Sequence, residues 1–321
     1  MRHPRPVQLV AVTAALAIAT LGRAVTARAQ PGASAPTLAL AAPAAPVPPL
    51  QLPVQWEDLT APDFVRAVER SSSTALIPLG IVERHGPHLP LGTDMINVRA
   101  IALRAAAEEY TIVFPPYYMG QIFEARHQPG TLAYSERLIW DLLQETVDEI
   151  ARNGIRKIIL VNGHGGNNSF LPFFCQAQLA RRKEYAVFLY QPAQDPELDP
   201  SIQSMLKTPL DWHGGEVETS TMMGHRPDLV RLERAGDGSG TDQARLAGLT
   251  DAYTAVWWYA RFPNHYAGDA SPSSAALGER VLAAKARHLA AMIRQVKADT
   301  RVLELQDRFY REAEAPLKTK Q

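Results

Sequence analysis

The sequence predicts a three-layer α/β sandwich, with a mostly parallel sheet flanked by helices. Three observations carry that reading. Short β-rich runs alternate with long helical patterns, the first strand candidate is almost wholly apolar, and residues of metal-ligand type gather just behind two of the strand candidates. The strands are expected at Thr74 to Gly80, Thr111 to Phe114, Arg156 to Val161 and Tyr185 to Tyr190. A first helix is expected at Thr60 to Arg70, and a second at Met95 to Glu109, which is rich in Ala, Leu, Ile and Arg. Glu136 to Arg152 carries Leu138, Ile139, Leu142, Leu143, Val147 and Ile150 at helical spacing, with Ser135 placed to cap it and Asn153-Gly154 to end it. Asn168 or Ser169 to Arg182 and Leu277 to Lys297 complete the helices. No internal repeat is visible.

Before that fold begins, Arg2 and Arg5 precede an apolar run from Val7 to Leu21, and Ala27-Arg28-Ala29 follows. This pattern reads as a cleavable secretory signal over residues 1–29, so the chain is expected to be exported, to the periplasm or beyond. The run falls short of the roughly twenty residues that span a bilayer, so no stable membrane insertion is expected once the signal is cleaved. No paired arginines precede it, which favours general export. Residues 30–53 are dominated by Ala and Pro and have little to bury, as expected of a disordered linker. Residues 54–321 then form one domain.

Charge and cysteine content narrow the function classes. Lys and Arg number 33, as do Asp and Glu, so the formal net charge is zero and there is no basic footprint for nucleic acid. Cys175 is the only cysteine, so no intrachain disulfide can form, and stability must come from packing, metal or assembly. Trp257-Trp258 could serve a homo-oligomer interface.

The segment E-R-H-G-P-H-L-P-L-G-T-D places Glu83, His85, His88 and Asp94 within twelve residues. V-N-G-H-G-G-N-N at 161–168 and H-G-G-E-V-E-T-S at 213–220 repeat the chemistry. Mixed carboxylate and imidazole ligation suits zinc, manganese or iron(II). The first two segments directly follow strands, where open parallel sheets bind ligands. Glu83 and His85 are two apart, so extended backbone points both to one side. The glycines beside His164 could instead cradle a phosphate, but the acidic residues nearby oppose an anion. His88, between Pro87 and Pro90, suits orienting a ligand rather than binding metal. His127, His225 and His265 are expected in structural roles.

These three blocks resemble the signatures of the creatininase (creatinine amidohydrolase) family in order and phase, and Q-P-G-T at 128–131 and G-D-A-S-P-S-S-A-A-L-G at 268–278 extend the likeness. The resemblance implies a three-layer α/β fold, two divalent metal ions per chain, hydrolysis of amide bonds that are often cyclic, and often a hexamer. It makes Glu83 and His85 ligands to different metals, Asp94 the bridge and His164 the completion of the first site. Some members use a Glu two residues beyond that histidine, where this chain has Gly166, so the resemblance favours Glu218 for the second site. His213 resembles the family's proton donor or acceptor, with Glu216 a weaker catalytic candidate. Trp212, His127 and the backbone at Gly165 and Gly166 are expected to line the substrate pocket. Zinc is the first expectation, with manganese and iron also suited. The substrate is a small amide: creatinine, another lactam, a cyclic ureide, a formamide or a short peptide. The competing readings are an exported metal or ligand binder without catalysis, and a binuclear phosphoesterase.

Overall fold

The structure, a computed structural model, describes residues 52–192 and 195–319. The signal expected at 1–29 and nearly all of the linker expected at 30–53 lie outside the described residues. Four parallel strands form the main sheet: β1 (Thr74–Leu79), β2 (Ile112–Val113), β3 (Lys157–Asn162) and β4 (Ala186–Leu189), in the order β2-β1-β3-β4. The register pairs Ala75 with Ile112 and with Ile158, and Leu79 with Asn162, so β1 and β3 end side by side.

Strand alternation sends successive side chains into two separate cores, which is what makes three layers. Ala75, Ile77 and Leu79 of β1 join Ile158 and Leu160 of β3 on one face. There they meet Ala67 of α1 (Ala61–Arg70), Leu143, Val147 and Ile150 of α3 (Glu136–Arg152), and Leu171 and Phe174 of α4 (Phe170–Ala177). Leu76, Ile159 and Val161 face the other way. Their partners are Val98, Ile101 and Ala105 of α2 (Thr93–Glu108) and Leu282, Leu289 and Ile293 of α8 (Ala275–Ala298). Two short helices, α5 (Pro200–Gln203) and α7 (Trp257–Arg261), precede α8 with α6 (Glu216–His225) between them, and α9 (Arg301–Ala313) follows it.

The caps follow the sequence. Thr60 accepts from Asp63 N at the start of α1, and Ser135 accepts from Leu138 N at the start of α3. One helix differs from expectation: α4 stops at Ala177, with a 3-10 turn at Gln178–Ala180, rather than reaching Arg182. Arg181, Arg182 and Lys183 offer no apolar face to either core. The sequence pattern also missed α6 and an antiparallel pair, β5 (Asp211–His213) with β6 (Ala267–Gly268). α6 buries Thr219, Ser220 and Thr221, so no apolar stripe marks it. It packs directly on α8, where a Cβ at Gly278 would lie 1.7 Å from Ser220 O. Among the described residues no helix is long and apolar enough to cross a membrane.

Candidate metal centre

The site lies just beyond the carboxyl ends of β1 and β3. Leaving β1, the loop carrying Glu83 and His85 folds back on itself, with Glu83 N donating to Leu91 O at 2.9 Å, and leads into α2, whose first turn carries Asp94. Leaving β3, the chain delivers His164 alongside. The first turn of α6 supplies Glu218, whose Oε2 accepts from Gly214 N at 2.6 Å. Parallel pairing of β1 with β3 thus sets two distant loops side by side.

Among the described residues these side chains and His213 form three groups of possible ligands, one of them Glu83, His85 and His213, and the other two share Asp94. In one of those two, Glu83, Asp94 and His164 each offer a ligand atom within 4.8 Å of the others; in the second, His85, Asp94 and Glu218 do. His164 Nδ1 lies 2.7 Å from Glu83 Oε1 and 3.1 Å from Asp94 Oδ2, while His85 Nε2 lies 2.8 Å from Asp94 Oδ1. Glu83 and His85 are wholly buried, whereas the Glu218 side chain is 32% exposed, so the site opens on Glu218. A cavity of about 340 Å³ begins there, lined by Asp94, Asn97, Asn162, Glu218, Tyr190 and Lys285 among others.

The histidines are held by their outer nitrogens. His164 Nε2 donates to Gln121 O at 2.9 Å, and His85 Nδ1 faces Glu83 O at 3.3 Å. Each bond fixes a tautomer that turns the other nitrogen's lone pair inward. Glu83 Oε1 and Asp94 Oδ2 are buried and accept no hydrogen bond among the described residues. Unpartnered carboxylate oxygens are costly in an interior and call for a cation. Without one, protons must serve. Burial would depress His85, but Asp94, Glu218 and Glu83 outweigh it and raise its pKa to about 10. His164 is likewise raised well above the imidazole range by Glu83 and Asp94 against its burial, and Glu83 is held well below the carboxylate range by His164 and His213 against its own.

His213 stacks on His85 with ring centroids 4.2 Å apart, donates Nε2–H to Arg84 O at 2.8 Å and comes within 4.0 Å of Glu83 Oε2. Other expected site residues add no side chain to the ligand groups. Glu216 is buried, and its Oε2 accepts from Lys207 N, Thr208 N and Thr208 Oγ1, so it holds the chain before β5. Trp212 is 51% exposed and lies beneath the Arg261 guanidinium. His127 packs on the Tyr259 ring and bonds Pro263 O. Gly165 faces open space, and Gly166 abuts His164: a Cβ there would lie 2.4 Å from His164 Nε2. His88 faces Thr219 Oγ1 at 2.8 Å, one residue from Glu218.

The sequence reading missed His265, which bonds Glu83 Oε2 through Nε2. The two are 182 residues apart, and no spacing rule connects them.

Fold and site together define a three-layer α/β protein with a buried carboxylate and imidazole centre at the carboxyl edge of its sheet. The model of the creatininase family, described as creatinine amidohydrolase, matches residues 57–293, and the chain belongs to that family. It is 27% identical over 197 residues to a creatinine amidohydrolase of Pseudomonas putida, covering 56% of this chain and 75% of that protein. It is 30% identical over 230 residues to a mycofactocin precursor peptide peptidase of Mycolicibacterium smegmatis, covering 70% of this chain and 85% of that protein. A solved structure of a manganese creatininase superposes with a TM-score of 0.65 at 24% identity, covering 77% of this chain and 99% of its own.

Proposed function

We propose that this chain is a metal-dependent amidohydrolase that holds two divalent cations, one at Glu83, Asp94 and His164 and one at His85, Asp94 and Glu218. The observation that carries the proposal is the pair of ligand groups sharing Asp94, with two buried carboxylate oxygens, Glu83 Oε1 and Asp94 Oδ2, turned toward the inner nitrogen of His164. The mixed oxygen and nitrogen donors suit zinc first and manganese or iron as well. Bound there, such cations would bring the pKa of water toward neutrality and polarise an amide carbonyl.

The chain's own residues supply the rest. Asp94 offers one oxygen to each group and so fixes their spacing. The cavity beside Glu218 admits a small amide, and Asn97 on its wall can orient polar groups. His213 spends Nε2 on Arg84 O, which leaves Nδ1 to carry a proton to the leaving nitrogen. A creatinine-like cyclic amide is the first substrate we propose. A short peptide is the second, favoured because the mycofactocin peptidase is matched over more of its length than the creatinine enzyme.

The test is elemental analysis of protein purified without chelator, together with release of amine from creatinine, other cyclic amides and short peptides. About two metals per chain and metal-dependent amide cleavage are expected. A chain that stays metal-free after reconstitution would overturn the reading in favour of a binding protein. On sequence grounds alone we also propose export after cleavage of residues 1–29, and a homo-oligomer such as a hexamer; the mass of the mature chain and light scattering check these.

A further inference from the structure

We propose that His265, fixed by Trp258, is a positioning residue that aims the carboxylate of Glu83 into the metal centre. Three contacts in series make the case. Trp258 Nε1–H donates to His265 Nδ1 at 2.9 Å. An indole has only a donor to give, so the imidazole must accept on Nδ1 and carry its hydrogen on Nε2. That Nε2–H donates to Glu83 Oε2, which leaves Oε1 facing His164 and Asp94.

The backbone shows that the placement is enforced. His265 sits at φ +50°, a left-handed conformation uncommon outside glycine, and the residue is 2% exposed. Its N–H donates to Phe262 O at 3.0 Å, while its carbonyl accepts from Gly86 N, inside the loop that carries Glu83 and His85. A strained residue persists where its surroundings over-determine it, and such residues gather at functional sites.

A Glu83 carboxylate released from His265 could turn away from His164 and Asp94, which would leave that group one ligand short. Outer partners of metal ligands typically affect metal affinity by about 10- to 100-fold. The inference rests on the two-cation reading above, and the experiment separates the two. Zinc affinity is measured by competition with a chromophoric chelator for wild type, H265A, H265Q and W258F, with the melting temperature of each metal-free protein alongside. Glutamine can present an amide N–H near the position of Nε2, and it carries the same left-handed backbone cost as alanine, so the pair isolates the hydrogen bond.

Wild type is expected to bind two zinc ions. H265A should lose roughly 10- to 100-fold at one of them, H265Q should regain most of that, and W258F should fall between, although the metal-free melting temperatures of H265A and H265Q drop alike. If wild type binds no zinc, the two-cation reading fails and takes this inference with it. If wild type binds two and H265A binds them as tightly, or if H265Q is as weak as H265A, the positioning role alone is overturned.

Discussion

Asp94 Oδ1 lies 2.8 Å from His85 Nε2, and its second oxygen turns to His164 Nδ1 at 3.1 Å. One carboxylate on the first turn of α2 thus belongs to both ligand groups. Asp94→Ala is expected to lower the metal content from about two per chain to below one and to bring amide hydrolysis to background. The side chain lies at a helix start rather than in an apolar core, so the circular dichroism spectrum should be unchanged. Two metals and normal turnover in this variant would refute the shared-ligand arrangement.

Metal uptake should release protons, because the histidines that face the carboxylates hold them in the metal-free protein. His85 titrates near 10 when folded, against about 6.5 in an unfolded chain. A raised folded value stabilises the metal-free protein below about pH 6.5, and that stability is lost as the pH climbs towards 10. A cation must displace the same proton, so zinc affinity should rise with pH across that window. Calorimetry in buffers of different ionisation enthalpy should detect protons leaving as zinc binds. Zero release would mean that His85 and His164 are not ligands.

The legible part of this protein was whatever repeats locally. Apolar β-runs and the spacing of Leu138 to Ile150 marked four strands and α3 to within a residue or two, because each element buries a face of its own. Glu83, His85 and Asp94 were readable for a similar reason, since their loop lies within one short segment. α6 was not, because its buried face is Thr219, Ser220 and Thr221 packed against the α8 backbone. His265 was invisible for a different cause: its role is set by a tertiary contact with Glu83, and a histidine in N-H-Y has no periodic signature.

Two adjacent glycines should behave differently. A Cβ at Gly166 would lie 2.4 Å from His164 Nε2 and 2.9 Å from Gln121 O, across the bond that fixes the His164 tautomer. At Gly165 a Cβ meets nothing within 4 Å. Gly166→Ala is therefore expected to weaken zinc binding roughly tenfold or more, while Gly165→Ala leaves it unchanged. Equal zinc affinities in the two variants would contradict this account.

Glu218 depends on a helix that is itself held by close backbone contact. Gly278 of α8 lies against α6 so tightly that a Cβ would sit 1.7 Å from Ser220 O, and Ser220 is two residues beyond Glu218. Backbone cannot swing aside as a flexible side chain would, so Gly278→Ala must push the two helices apart. Overpacking of this kind typically costs 1–3 kcal/mol and at times more, so a stability loss of about 3 kcal/mol is expected in chemical denaturation. The displacement should also carry Glu218 away from His85 and Asp94. Zinc affinity should fall at that site and remain at the Glu83 site, whose ligands come from the loops after β1 and β3 and from α2. A variant that keeps full stability and both affinities would show that α6 tolerates a wider gap to α8 than this packing allows.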